Sequence, residues 1–166
     1  LVGSEMCIRD RPIVYAIIGG NPRYFKKLIQ AYRKIGRDAG HADKDLKVGA
    51  HSWGWIAEDG EQAVKDYFHP TKQVVDAISK DRPHWQELTY EQYLEQVGPN
   101  GAMFVGNPDQ VAEKLIRMIE DLDLDRFMLH LPLGSMPHEQ VLRAIELFGT
   151  QVAPKIRAYF AMKEGL

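Results

Sequence analysis

Apolar runs alternate with amphipathic stretches along most of this chain. Residues 13–18 form a continuous apolar run rich in β-branched side chains, which is typical of a strand buried on both faces. A second run at 46–57 contains two glycines and two tryptophans, and a third covers 126–131. Glycines inside a strand indicate a bulge or a close approach by a ligand or another backbone. The pattern predicts three strands.

Helical periodicity separates these strands. Asn21, followed by proline, begins a stretch with apolar residues at three- and four-residue spacing, and Gly40 ends it. Asn107, again followed by proline, repeats this start before a second amphipathic stretch. A last helix is predicted at 138–148, and a shorter terminal helix follows it.

The segment between the second strand and Asn107 is longer than an ordinary connection. A helix is predicted over 58–68, and Pro70 is expected to interrupt it before a further helical stretch. Residues 81–102 are more polar, with a short helix over 90–97, and are predicted to be an insertion. Residues 69–85 are expected to be solvated surface, with a mobile lid as the alternative.

Strands that alternate with amphipathic helices predict βαβ units and a parallel sheet. A free-standing parallel sheet needs helices on both faces, but this chain supplies helices for one face. In a (β/α)₈ barrel the other face points into the barrel. The predicted fold class is therefore α/β, a partial TIM (β/α)₈ barrel whose three strands are parallel, adjacent and in sequential order.

Composition and motifs exclude several functions. The 166 residues are 45% hydrophobic and carry a net charge of −2, so neither nucleic acid nor an anionic membrane is an expected partner. No apolar run approaches the roughly 20 residues that span a bilayer. The lone Cys7 favours a reducing cytoplasm. Motifs for zinc, nucleotide and serine hydrolysis are absent, and no metal site is predicted.

Four segments resemble the bacterial luciferase-like flavin-dependent monooxygenases. They are IIGGNPRYF at 17–25, VGAHSWGWIAEDGEQA at 48–63, VGNPDQVAEKL at 105–115, and DRFMLHLPLGSMPHEQVLRAIELFGTQVAPKIR at 125–157. The resemblance implies the last three βα units of a barrel, with an insertion after the second strand of this chain.

The resemblance also implies a domain organisation. Residues 12–166 are then the C-terminal part of a single luciferase-like barrel domain. Residues 1–11, LVGSEMCIRDR, have no helical or strand period and resemble a translated sequencing-library adapter, so we expect them to be non-native. A disordered natural N-terminus is the alternative.

The activity implied by the resemblance is oxygenation of an organic small molecule by dioxygen with FMN as cofactor. A flavin reductase is an implied partner, and the full-length protein is open to oligomerisation. A deazaflavin-dependent oxidoreductase of the same barrel family is the first alternative. The second is a truncated polypeptide that is not catalytic as it stands.

Barrel chemistry takes place at the C-terminal ends of strands, and this position selects the candidate catalytic residues. His51 and His130 stand near the ends of the second and third predicted strands. Either imidazole is able to transfer protons or to hydrogen-bond a flavin ring. A satisfied core histidine is the alternative at both positions.

Five residues are predicted to bind the cofactor. Gly19 and Gly20 precede a helix N-terminus whose amides are able to bind a phosphate, although turn formation alone also explains them. Ser52 and Trp53 stand beside His51, where they would contact or wall the ring, with packing alone as the alternative for the tryptophan. Gly134 lies in the turn after the third predicted strand and would let backbone approach a ligand closely, although a loop that ends the strand also explains it.

Overall fold

The computed structural model describes residues 12–82 and 86–165, so the expectation for residues 1–11 lies outside the described residues. Within those ranges the strands are β1 (Ile13–Ala16), β2 (Val48–Ile56), β3 (Phe104–Gly106) and β4 (Arg126–His130). The α-helices are α1 (Phe25–Asp38), α2 (Gly60–Ser79), α3 (Tyr90–Val97), α4 (Pro108–Leu122), α5 (His138–Leu147) and α6 (Ala153–Glu164). A π-helical turn, Phe148–Val152, joins α5 to α6.

Strand β2 is the centre of a parallel sheet. It pairs with β1 from Val48 to His51 and with β4 from Gly49 to Trp53. Because the same β2 residues pair with both strands, β1 and β4 lie on opposite edges of β2. The C-terminal part of β2 pairs with β3, also in parallel. The predicted parallel, adjacent and sequential arrangement of the three long strands is confirmed.

The two faces of this sheet differ in burial. One face packs against helices; for example, Tyr15 of β1 meets Phe25 of α1 edge-on, with ring centroids 5.6 Å apart. On the other face, side chains of β1 and β4 are exposed, and we call this the open face. From strand register, its members are Val14, Ala16, Gly49, His51, Trp53, Arg126, Met128 and His130. The expected one-sided coverage by helices is therefore found.

Apolar side chains are also exposed on the helices that flank the sheet. Leu28 and Ile35 of α1 are 54% and 67% exposed, and Leu142 and Ile145 of α5 are 52% and 49% exposed. In a closed barrel each helix packs against a neighbour on both sides. The exposed apolar stripes are therefore what a partial barrel is expected to show.

One strand was not predicted from the sequence. Strand β3 has three residues, Phe104–Gly106, all buried, and it pairs with Gly54, Trp55 and Ile56 of β2. Three residues are too few to show a strand period. The prediction of three strands is corrected to four in the described ranges.

The prediction that Pro70 interrupts the helix is wrong. Helix α2 runs without a break from Gly60 to Ser79, with Asp59 as its cap. Tyr67, Thr71 and Val75 are buried on one face of the helix, on both sides of the proline. The Thr71 hydroxyl also donates to the Tyr67 carbonyl at 2.6 Å. Burial of this face outweighs the one backbone hydrogen bond that a proline removes.

The predicted helix at 90–97 is confirmed as α3, and a buried lysine holds its C-terminal end. The Lys114 ammonium of α4 donates to the carbonyls of Val97 (2.9 Å), Gly98 (2.6 Å) and Met103 (2.6 Å). Burial disfavours its charged form and lowers the pKa of Lys114 to about 7. This one side chain connects the insertion to β3 and α4.

A network of charged residues lies at the N-terminal ends of the strands. Asp125, just before β4, accepts hydrogen bonds from Lys47 (2.7 Å), from the Val48 amide (2.9 Å) and from Arg33 (3.1 Å). Arg33 also pairs with Asp123. Partial burial alone would raise the pKa of Asp125, but these donors and positive charges together lower it.

Replacing Asp125 by asparagine is expected to lower the free energy of unfolding by about 1–2 kcal/mol at neutral pH. Because the folded-state pKa lies below the unfolded value, the stabilisation is complete above about pH 4 and is lost as the pH falls through the folded-state pKa. Urea unfolding of both proteins at neutral and acid pH measures this difference. Asp38→Asn, which removes an exposed pair with Lys34, is the control. A difference that persists unchanged in acid would contradict the prediction.

Candidate functional site

The loops after β1 and β4 meet the insertion at the C-terminal end of the sheet. The Gly20 amide donates to the side-chain oxygen of Gln96 in α3 at 3.0 Å. In the loop after β4, Gly134 lies against Pro70 and Gln73 of α2. Helices α2 and α3 therefore border this end of the sheet, where ligands bind in parallel α/β proteins.

The structure brings the two candidate catalytic histidines together. The imidazole centroids of His51 and His130 are 5.6 Å apart and the ring planes are tilted by 42°. Register places Met128 beside His51 and Trp53 beside His130, so the histidines are diagonal neighbours on one face. His51 is half-buried and His130 is exposed.

The two histidines have different electrostatic surroundings. Partial burial lowers the pKa of His51, and the nearby His130 lowers it further. Within the described part of the chain, neither imidazole hydrogen-bonds another residue. Their ring nitrogens are therefore available to a ligand on the open face.

Ser52 points away from the open face. Its hydroxyl is fully buried and lies within hydrogen-bonding distance of the Ile17 carbonyl (2.6 Å) and the Ala102 carbonyl. The side chain thus ties the loop after β1 to the end of the insertion. Trp53 lies on the same side of β2 as His51 but is only 5% exposed.

The glycine pair after β1 forms a turn in which the Gly20 amide already has a hydrogen-bond partner. Gly20 has a φ of +77°, which favours glycine, and its amide is bonded to Gln96. The Asn21 side chain accepts from the Arg23 amide at 3.0 Å. A phosphate bound to the Gly20 amide would have to displace the Gln96 side chain.

Gly134 occupies a turn in contact with the insertion. Its φ of +56° favours glycine. A Cβ atom here would lie 3.3 Å from the Gln73 side-chain oxygen. Gly134 therefore packs against α2 at the rim of the site.

Sequence reasoning missed two features near the site. Trp55 stacks on Tyr67 of α2, with ring centroids 5.9 Å apart and planes within 7°. The Trp55 indole nitrogen and the Tyr67 hydroxyl are the buried polar side-chain atoms without a hydrogen-bond partner in the described ranges. Lys114 was missed as well, although its spacing from Val111 and Leu115 places it on the buried side of α4.

The open face fits the ring of a flavin better than it fits the phosphate. A cofactor ring needs a mostly apolar wall with a few polar groups. Val14, Ala16 and Gly49 provide small apolar surface beside the two imidazoles. The described residues provide no free amide cradle at the predicted phosphate position, since the Gly20 amide is bonded within the chain.

Comparisons with known proteins identify the fold. No protein-family model matches this sequence, and no curated protein matches it significantly. Solved structures do match. A monooxygenase from Streptomyces bottropensis is 21% identical with a TM-score of 0.67, over 86% of this chain and 40% of that protein.

Two further structures differ in cofactor. The oxygenating constituent of 3,6-diketocamphane monooxygenase from Pseudomonas putida, in complex with FMN, is 18% identical with a TM-score of 0.58, covering 85% of this chain and 42% of that one. The coenzyme F420-dependent tetrahydromethanopterin reductase from Methanopyrus kandleri is 19% identical with a TM-score of 0.57, covering 86% and 45%.

These matches confirm the predicted fold class, an α/β partial (β/α)₈ barrel. The chain spans between 40% and 45% of the length of the three proteins. In the described ranges, no helix is long and apolar enough to cross a membrane.

Proposed function

We propose that this chain is the C-terminal part of a flavin-dependent, luciferase-like monooxygenase that acts on an organic small molecule. The observation that carries the proposal is the open face of a parallel sheet on which His51 and His130 meet at the C-terminal end. Similar folds in a monooxygenase and in an FMN-bound oxygenase support it.

The residues of this chain would form one wall of the cofactor site. His51 and His130 would hydrogen-bond the flavin ring or move a proton to or from the substrate, while Val14 and Ala16 would pack against the ring. Helix α2, with Trp55 and Tyr67, would exclude water from the rim of the site. The bound flavin supplies the redox chemistry, with dioxygen as co-substrate and a flavin reductase as the source of electrons.

A deazaflavin-dependent oxidoreductase is the second candidate, favoured by the similar fold of a coenzyme F420-dependent reductase. The two candidates differ in oxygen use, because hydride transfer from a deazaflavin consumes no dioxygen. Reconstitution of the full-length protein with each cofactor, followed by oxygen-consumption measurements, distinguishes the two candidates. Cofactor-dependent oxygen uptake with FMN supports the proposal, and turnover with the deazaflavin alone would refute it.

The isolated chain is expected not to bind FMN tightly, whereas the full-length protein is expected to bind it. The physical reason is the lack of a free phosphate cradle among the described residues. Quenching of FMN fluorescence measures both affinities. Saturable quenching by the isolated chain at micromolar concentration would show that the expectation is wrong.

The proposed roles of the two histidines are tested in the same full-length protein. We expect His51→Gln and His130→Gln each to lower kcat/KM by about 100-fold, the usual contribution of a general acid or base. His41→Gln is the matched control, since His41 is exposed in the loop after α1. If both site variants keep the wild-type kcat/KM, then His51 and His130 take no part in the reaction.

A further inference from the structure

The chain folds back on itself between α3 and β3, and we call residues 96–103 the turn segment. The Met103 amide donates to the Gln96 carbonyl at 2.9 Å, and the Gly101 amide donates to the Gly98 carbonyl at 3.1 Å. At Gly101 a Cβ atom would overlap the Gln96 carbonyl oxygen, so this close approach requires glycine. The two ends of the turn segment therefore lie side by side.

The buried Lys114 ammonium binds both ends of the turn segment. At one end, it lies within 3.4 Å of the carbonyl oxygens of Gln96, Val97 and Gly98. At the other end, it lies 2.6 Å from the Met103 carbonyl oxygen. An ammonium has three N–H donors, fewer than these four acceptors, so no donor is left over for a group outside the turn segment.

The turn segment is attached to the loop after β1 at two places. The Gln96 side-chain oxygen accepts from the Gly20 amide at 3.0 Å. The Ala102 carbonyl lies within hydrogen-bonding distance of the Ser52 hydroxyl, which also lies 2.6 Å from the Ile17 carbonyl. Both attachments thus begin at a residue whose carbonyl the lysine binds, or at its immediate neighbour.

We infer that Lys114 is a positioning residue for the loop after β1: by binding both ends of the turn segment, it keeps the Gln96 side chain on the Gly20 amide. The lysine acts through the turn segment and not by direct contact with the glycine. Release of the Gly20 amide to any ligand at this end of the sheet then requires movement of the turn segment. The inference concerns hydrogen bonds within the chain and does not depend on the proposed function.

The experiment measures the hydrogen-exchange rate of the Gly20 amide by NMR in the ¹⁵N-labelled chain. Gln96→Ala removes the acceptor and is expected to raise this rate about fivefold, the effect of one net hydrogen bond. Lys114→Met frees the turn segment and is expected to raise the rate by a similar factor. Should Lys114→Met fail to fold, Lys114→Gln replaces it, because its side-chain amide keeps two N–H donors but is one bond shorter.

A double-mutant cycle tests whether the lysine acts through Gln96. If it does, the double variant exchanges the Gly20 amide no faster than Gln96→Ala alone. Two independent effects would instead multiply to about 25-fold. A merely structural role of Lys114 would give that larger factor, because general loosening would add to the loss of the acceptor.

Two controls keep the test specific. The Arg23 amide is bonded to the Asn21 side chain at 3.0 Å, so its exchange rate should stay within about twofold of the wild-type rate in every variant. Lys65→Met, on the exposed side of α2, should leave the Gly20 rate within the same factor. A circular dichroism spectrum shows that each variant is folded. The inference is overturned if the Lys114 variant exchanges the Gly20 amide as the wild type does, or if the two effects multiply.

This test involves neither flavin nor turnover. An unchanged Gly20 exchange rate would leave the proposed function standing, and failure of FMN-dependent oxygen uptake would leave the role of Lys114 standing.

Discussion

Replacing Lys114 by methionine is expected to lower the free energy of unfolding by about 2–4 kcal/mol. Methionine fills a similar volume but donates no hydrogen bonds. The carbonyls of Val97, Gly98 and Met103 would lose the donor that they share. Relief of the buried charge offsets part of this loss, but a buried carbonyl without a partner costs about 1–3 kcal/mol. Urea unfolding monitored by circular dichroism measures the change.

The control for Lys114 is Lys65→Met on the exposed side of α2, expected to change stability by no more than about 0.5 kcal/mol. The pH dependence gives a second check. Since the folded-state pKa of Lys114 is about 7 and the unfolded value is higher, the unfolded chain binds more protons above pH 7. The stability of the wild type relative to Lys114→Met should therefore rise with pH from about 7 to about 10. Equal stability of the two proteins at every pH would contradict this account.

Replacing Gly54 by alanine is expected to cost about 3 kcal/mol or more, or to prevent folding. A Cβ atom at this position would lie 2.5 Å from the Phe104 carbonyl oxygen and 2.5 Å from the Leu129 Cδ1 atom. The carbonyl belongs to the backbone of β3, which cannot move without breaking its pairing with β2. Thermal and urea unfolding measure the loss.

Gly149→Ala is the matched control for Gly54→Ala. Its Cβ atom would meet nothing within 4 Å, and the position lies in the π-helical turn between α5 and α6. Alanine should be neutral there or stabilising by up to about 1 kcal/mol, because it favours helical backbone. If both variants lose the same stability, the close approach at Gly54 is not the cause.

The long strands and the helix starts followed from local chemistry. Asn107 was expected to cap α4, and its side chain accepts from the Asp109 and Gln110 amides at 3.1 and 3.0 Å. The glycines of the second strand were expected to mark a bulge or a close approach, and Gly54 meets the backbone of β3. These features depend on neighbouring residues and on strand alternation, which a sequence displays directly.

The features that the sequence did not predict depend on distant partners. The Gly20 amide donates to the side chain of Gln96, 76 residues away, and no local sequence pattern predicts that hydrogen bond. Strand β3 exists because β2 extends beyond β1 and offers unpaired backbone to it. The proximity of His51 to His130 could have been predicted, because neighbouring parallel strands bring their C-terminal ends together. That both side chains lie on the same face of the sheet follows only from the strand register, which the sequence does not give.

The charged network around Asp125 and the two histidines occupy opposite ends of the strands. Strand β4 begins one residue after Asp125 and ends at His130, five residues or about 16 Å further on. Energetic effects of sites this far apart without shared partners usually add independently. Changes to the loops after β1 and β4 or to the α2–α3 segment should therefore leave the ion pairs of Asp125, and the stability that they contribute, unaltered.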